Sequence, residues 1–277
     1  MILCLFILIR ILYLIYLNLQ KKIDSYLFCI KSTGKICLPT KIIKIGLIIP
    51  VTSNKRNYTD IQDIDFIRFL LPSFKNHMNS SGMYIYNFYL GYDHDDQYYV
   101  DNKEEIINYL QTQSLYITFT LLPIYNKKSK LSEIWTELAF YAIQSGNVYL
   151  YQLGDDIEFY DSNWEYYFIK QLEIWNNIGV VGPLDLNNRR LLTQSFVHKT
   201  HVEIFNHYFP KEIKNLYVDN WIENVYKSVF KNRSLKFLNI SVKNSGGDVR
   251  YKIDKNAKKI YIRQLEIGKR VLKNYRE

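Results

Sequence analysis

Cysteine is scarce: the 277 residues hold three, Cys4, Cys29 and Cys37, all before residue 38. The rest of the chain therefore has no thiol nucleophile, no zinc knuckle and no disulfide framework. The five histidines offer one near-pair, His198 and His201, and such a pair is more often surface or satisfied core than a metal site. Glycine and proline number 11 and 6, and neither GxGxxG nor a P-loop occurs, nor GxSxG or HExxH. The usual nucleotide grips, the serine-hydrolase elbow and the zinc-protease helix are thereby excluded. The middle of the chain also lacks an excess of positive charge. Net charge is +9, but residues 1–44 hold +6 and residues 243–277 hold +7, which leaves 45–242 at −4. A nucleic-acid binder carries its basic face on the folded body, so no nucleic-acid partner is expected. What is present, 48% hydrophobic and 23% charged residues, is the composition of a globular chain with a real core.

Residues 1–19, MILCLFILIRILYLIYLNL, are almost wholly apolar, and Arg10 is the one charge before Lys21. About 20 apolar residues span a bilayer, and no small-residue cleavage site follows, so residues 1–20 read as a single-pass membrane anchor. Its orientation is open. Lys21 and Lys22 favour a cytoplasmic body, whereas a signal-anchor would place the body in the secretory lumen, where the sequons at Asn57, Asn79, Asn232 and Asn239 could be used. Residues 21–42 read as a linker.

Apolar runs and helical spacings then alternate. Strands are expected at 44–50, 83–92, 114–121, 148–153 and 179–181, and helices at 60–78, 102–110, 132–145 and 164–176. This order predicts an α/β domain over 43–254, with a mostly parallel, Rossmann-like sheet flanked by helices. A basic helix is expected over 255–277.

Acids gather beside apolar strands at two places. The first is GDDIEF at 154–159, where a buried strand delivers Gly154, Asp155, Asp156 and Glu158 at its C-terminal end, the edge at which open α/β sheets bind ligands. Carboxylates so close repel one another unless a cation lies between them, and hard oxygens suit Mg2+ or Mn2+ shared with substrate phosphates. The second is GYDHDD at 91–96, with Asp93, Asp95 and Asp96 after the second strand. These acids can hydrogen-bond a base or ribose, or form a solvated turn.

In this order the segments resemble the GT-A fold glycosyltransferases, in particular a glycosyltransferase-like group of protists and large viruses, over about residues 43–250. The resemblance implies a nucleotide-sugar half starting at the strand that ends in IPVTSNKR, with Pro50, Thr52 and Arg56. It places Asp93, Asp95 and Asp96 at the nucleobase, and Trp135 and Asp155 on the donor side. It makes GDDIE the DXD-type metal motif, with Asp155/Asp156 or Asp156/Glu158 as the pair, Asp156 as the direct ligand and Asp155 on the ribose or behind it. Gly182, His198, His201 and Trp221 fall on the acceptor side. No histidine follows His207, so a water or Asp248 would stand in for a late ligand. Asp219 is either the general base of an inverting enzyme or a helix N-cap, with Glu223 as the substitute base. The implied activity is Mn2+- or Mg2+-dependent sugar transfer from a nucleotide-diphosphate donor to a glycan, protein or lipid hydroxyl. The alternatives are a degenerate, membrane-anchored binding module and a nucleotidyltransferase; the latter lacks its expected glycine-rich loop here.

Overall fold

The computed structural model describes residues 42–113, 115–229, 233–245 and 254–276. The expected anchor at 1–20, the linker up to residue 41 and Asp248 lie outside the described residues. Among those described, no helix is long and apolar enough to cross a membrane.

In chain order the elements are β1 (Ile43–Val51), α1 (Leu71–His77), β2 (Tyr84–Asp93), α2 (Gln97–Asp101), α3 (Lys103–Gln111), β3 (Ile117–Ile124), α4 (Leu131–Gln144), β4 (Tyr149–Gln152), β5 (Ile157–Phe159), α5 (Trp164–Ile174), β6 (Val180–Asp185), β7 (Ser195–His198), α6 (Thr200–Phe205), α7 (Val218–Val229), β8 (Ser234–Asn244) and α8 (Ala257–Arg276). The strands form one sheet in the order β3-β2-β1-β4-β7-β6-β8-β5. β3, β2, β1 and β4 are parallel, as expected. β1 is central, which is why its run Ile45–Ile49 is apolar without alternation and buried on both faces.

The expectation of a mostly parallel sheet fails beyond β4. There β7 pairs antiparallel with both β4 and β6, β8 runs parallel to β6, and β5 is antiparallel to β8. Residues 186–194 are too few for a parallel crossover, which takes a dozen or more, so β6 and β7 must run in opposite directions. The helix expected over 60–78 is also broken. A capping box of Asp60 and Asp63 starts a 3-10 turn at Ile61–Asp63, a π turn follows at Phe66–Leu70, and α1 begins with Pro72 in its first turn, where a missing N–H costs nothing.

Two apolar layers cover the sheet. One is aromatic: Phe74 meets Tyr86, Phe88 and Phe159 edge-on at 5.0–5.4 Å, and Trp164 and Phe168 pack beside Tyr151 and Phe196. The other is built by α4, α7 and α8. The C-terminal helix is part of this core: Trp221 Nε1 donates to the Gln264 carbonyl at 3.1 Å, and Leu272 is fully buried.

Glu165 is fully buried in the aromatic layer. Its Oε1 accepts from Asn79 N–H at 2.9 Å and from the Tyr86 hydroxyl, while Oε2 has no partner. Burial pushes its carboxyl pKa up from 4.5. The folded state then holds a proton that the unfolded chain releases, so stability falls as pH rises above about 4.5. Glu165→Gln keeps the accepting oxygen and removes the charge. It should raise stability at pH 8 by about 1–2 kcal/mol and remove this contribution to the fall in melting temperature as pH rises above about 4.5. A lower melting temperature at pH 8 would show that the charge is compensated.

Candidate active site

The C-terminal ends of β1, β2, β4 and β6 lie along one edge of the sheet. An open cleft of about 430 Å³ lies at the ends of β4 and β6, lined by Trp135, Gly154, Asp185, Asp219 and a rim of amides that includes Gln152, Asn188 and Asn215. Two helix starts frame it, since Leu131 opens α4 and Val218 opens α7.

Asp155 and Asp156 sit directly after β4, 2% and 5% exposed. Asp155 faces the Tyr58 and Tyr99 hydroxyls and raises the pKa of both, after burial itself. The Asp156 carboxylate folds back over Gly154: a Cβ there would meet Asp156 Oδ1 at 2.9 Å. Gly154 thus lets the backbone, the carboxylate and the cleft share one spot. Glu158, the third expected ligand, lies on β5 and accepts from the Ser245 hydroxyl. Among the described residues no group of three His, Cys, Asp or Glu side chains comes together as a metal cage, so Asp155, Asp156 and Glu158 do not form a three-ligand set.

The loops after β1 and β2 are tied to each other. Asp96 accepts from Ser53 N–H at 2.8 Å, Ser53 Oγ at 2.5 Å and Thr52 Oγ1 at 3.2 Å. Thr52 and Asp96 therefore bind one another, and Asp96 acts as a loop clamp. Arg56 closes on Asp65 at 2.6 Å. Asp95 pairs with Lys128 at 3.0 Å on the surface. Asp93 has a buried oxygen without a partner, and burial, then Asp95, raises its pKa. Of the three acids it is the one with capacity left. Pro50, one residue before the end of β1, pairs with Gly91 of β2.

Four residues expected on the acceptor side lie elsewhere. His198 is opposite Tyr149 at the start of β4, about 10 Å of strand from the cleft. Its Nδ1 is 2.7 Å from Thr200 Oγ1. His201 is 1% exposed, with Nδ1 on the Tyr226 hydroxyl at 2.9 Å and Nε2 on the Tyr208 carbonyl at 2.8 Å. Burial lowers its pKa to about 3, so it is a neutral core histidine. Trp221 is fully buried against Phe205 and α8, and builds core where a sugar wall was expected. Gly182 is a packing glycine: a Cβ there would lie 2.1 Å from the Gln194 carbonyl oxygen. Gly182→Ala should cost more than about 3 kcal/mol, because the obstacle is backbone. A melt within a degree or two of wild type would return Gly182 to the ligand site.

Asp219 is not the N-cap. The helix begins at Val218, so Asp219 lies in its first turn, and the residue before the helix, Tyr217, has φ 77° and accepts from Trp221 N–H at 2.9 Å. Among the described residues the Asp219 carboxylate takes no hydrogen bond. Burial, then the charges of Glu223 and Asp185, pushes its pKa up to about 7. Glu223, the alternative base, is tied down: Oε2 accepts from Leu192 N–H at 3.3 Å and Oε1 pairs with Lys227. Asp185 accepts from Asn187 N–H and Asn188 N–H at Oδ1, 2.9 and 3.3 Å, and lies 2.7 Å from Thr193 Oγ1 at Oδ2. The sequence assigns no role to Asp185 or to the amide rim. Polar residues in loops carry no periodicity, and only the antiparallel β6–β7 turn brings them to the cleft.

No family profile matches the chain, and no curated protein sequence does. Solved structures do. S. aureus TarS superposes with a TM-score of 0.53 at 11% identity, over 81% of this chain and 39% of TarS. GalNAc-T7, solved with UDP, GalNAc and Mn2+, gives 0.58 at 10% identity, over 82% of this chain and 48% of that one. The chain shares their fold. Both neighbours are GT-A glycosyltransferases. A TarS fragment, 1–349, in complex with UDP-GlcNAc gives 0.53 at 11% identity, over 82% of this chain and 66% of the fragment. This chain thus spans less than two thirds of the full TarS and GalNAc-T7 chains.

Proposed function

We propose that this chain is a metal-assisted, inverting glycosyltransferase that moves a sugar from a nucleotide-diphosphate donor to a hydroxyl of a glycan, protein or lipid acceptor. The observation that carries the reading is Asp219, a half-buried carboxylate on the cleft wall with no hydrogen bond among the described residues; its surroundings raise its pKa to about 7. A general base works best with a pKa near the operating pH. The acceptor oxygen bonds to the anomeric carbon and its proton passes to Asp219. The bond from that carbon to the diphosphate oxygen breaks, and its electron pair leaves on the diphosphate. One free carboxylate suffices for this direct displacement. Asp185 is assigned no chemistry; it holds Asn187, Asn188 and Thr193 at the cleft.

Asp155 and Asp156 fit a hard divalent cation. They are adjacent carboxylates taken out of water at a strand end, and Mg2+ or Mn2+ commonly takes one or two carboxylates and completes its shell from substrate phosphates. The ion would supply charge neutralisation at the leaving diphosphate. The loops clamped by Asp96, with Asp93, form the neighbouring nucleotide side.

The absence of a three-ligand group among the described residues favours a second reading, a nucleotide-sugar-binding module without turnover. A panel of nucleotide-sugars, followed for nucleoside diphosphate release with Mn2+ or with a chelator, separates them. Mn2+-dependent release supports the enzyme. Thermal stabilisation without release supports the module; a ligand at 100 times its Kd adds about 2.7 kcal/mol. Neither effect would overturn both.

A further inference from the structure

The starts of the parallel strands form the base of the molecule, at the opposite end from the cleft. β1 enters there at Ile43, so residues 1–41, with the apolar run at 1–19, join the body at this end. α7 runs from Asp219 at the cleft to Val229, about 15 Å away by helical rise, and so also ends at the base. Beside that end, Lys269, Arg270 and Lys273 of α8 line an open depression of about 380 Å³ with Ser228 and Val229. Gly268 and Leu272 turn one side of α8 into the core, Gly268 against Trp221 and Val225, which directs these cations outwards. Lys44 is exposed at the same end. Among the described residues Lys44, Arg270 and Lys273 form no ion pair. Lys269 shares Glu266 at 2.7 Å, and Glu203, on α6, already pairs with Lys199 at 3.2 Å.

We infer that this basal face docks on an anionic membrane surface and holds the cleft away from the bilayer. Two observations select that occupant. The apolar run enters at this end, and some 20 intervening residues are ample to reach it. Lysine and arginine beside a membrane-embedded segment gain directly from anionic headgroups, within about a Debye length. The inference does not depend on the reaction proposed for the cleft.

Lysine footprinting tests it. The full-length protein is reconstituted in phosphatidylcholine vesicles with or without phosphatidylserine, and acetylation rates are read lysine by lysine. Lys44, Lys269 and Lys273 should react several-fold more slowly when phosphatidylserine is present, with the difference lost in high salt. Lys128, at the cleft end, should not change. Arg270→Glu with Lys273→Glu should abolish the phosphatidylserine effect at Lys44 and Lys269. Equal rates in both vesicles, or equal protection of Lys128, would overturn the inference. Protection by free RNA as strong as that by vesicles would reassign the face to a soluble polyanion.

Discussion

Asp219→Asn should lower turnover by about 10² or more while leaving the fold intact, as the loss of a general base does. The two side chains have nearly the same shape, and asparagine cannot take the acceptor's proton. The stability effect runs in the opposite direction. With its pKa raised from 3.8 to about 7, Asp219 keeps a proton in the folded state that the unfolded chain has released. Wild-type stability therefore falls as pH rises through that window, and the cost is complete above it. At pH 8 the Asn variant should melt at or above the wild-type temperature, and the gap should close below pH 4. Turnover within a few-fold of wild type would remove Asp219 from the chemistry.

Asp156→Asn should abolish Mn2+-dependent release of nucleoside diphosphate, a loss of about 10²–10³ or more, as for other preorganised electrostatic contacts. The backbone contact Ser245 N–H to Asp156 O, 2.9 Å, is untouched by the change. Without metal the variant should be as stable as wild type or more so, because one of two adjacent buried carboxylates is neutralised. A variant with near-normal, Mn2+-dependent activity would show that the ion, if bound, is held elsewhere.

The parallel half of the fold, β1 to β4, was legible because its signals are strong. β1, β2, α4 and β4 are apolar runs or helical stripes with clear ends, and central parallel strands need no alternation to be recognised. β5, β7 and β8 were not legible. β5 and β7 have three and four residues, and most of β8 is half-exposed, with apolar burial confined to Ile240 and Val242 and an irregular register opposite Pro183 and Leu184. Missing β7 is why His198 and His201 were expected beside the cleft. Reversing that strand carries His198 to the far end of β4, and α6 then buries His201 in the core. Asp155, Asp156 and Asp219 stand out in the sequence because each stands at the end of a readable element. Glu223 has the same composition cue, and its engagement with Leu192 and Lys227 exists only in three dimensions.

The most direct test is the pH dependence of kcat/KM for nucleotide-sugar turnover, which reports the free enzyme's essential groups. In the wild type it should rise with pH and level off above about 7, as the Asp219 carboxylate loses its proton. In Asp219→Asn the residual rate should lose that step. If the Asn variant keeps the wild-type profile and rate, Asp219 is not the base and the assignment of the cleft fails.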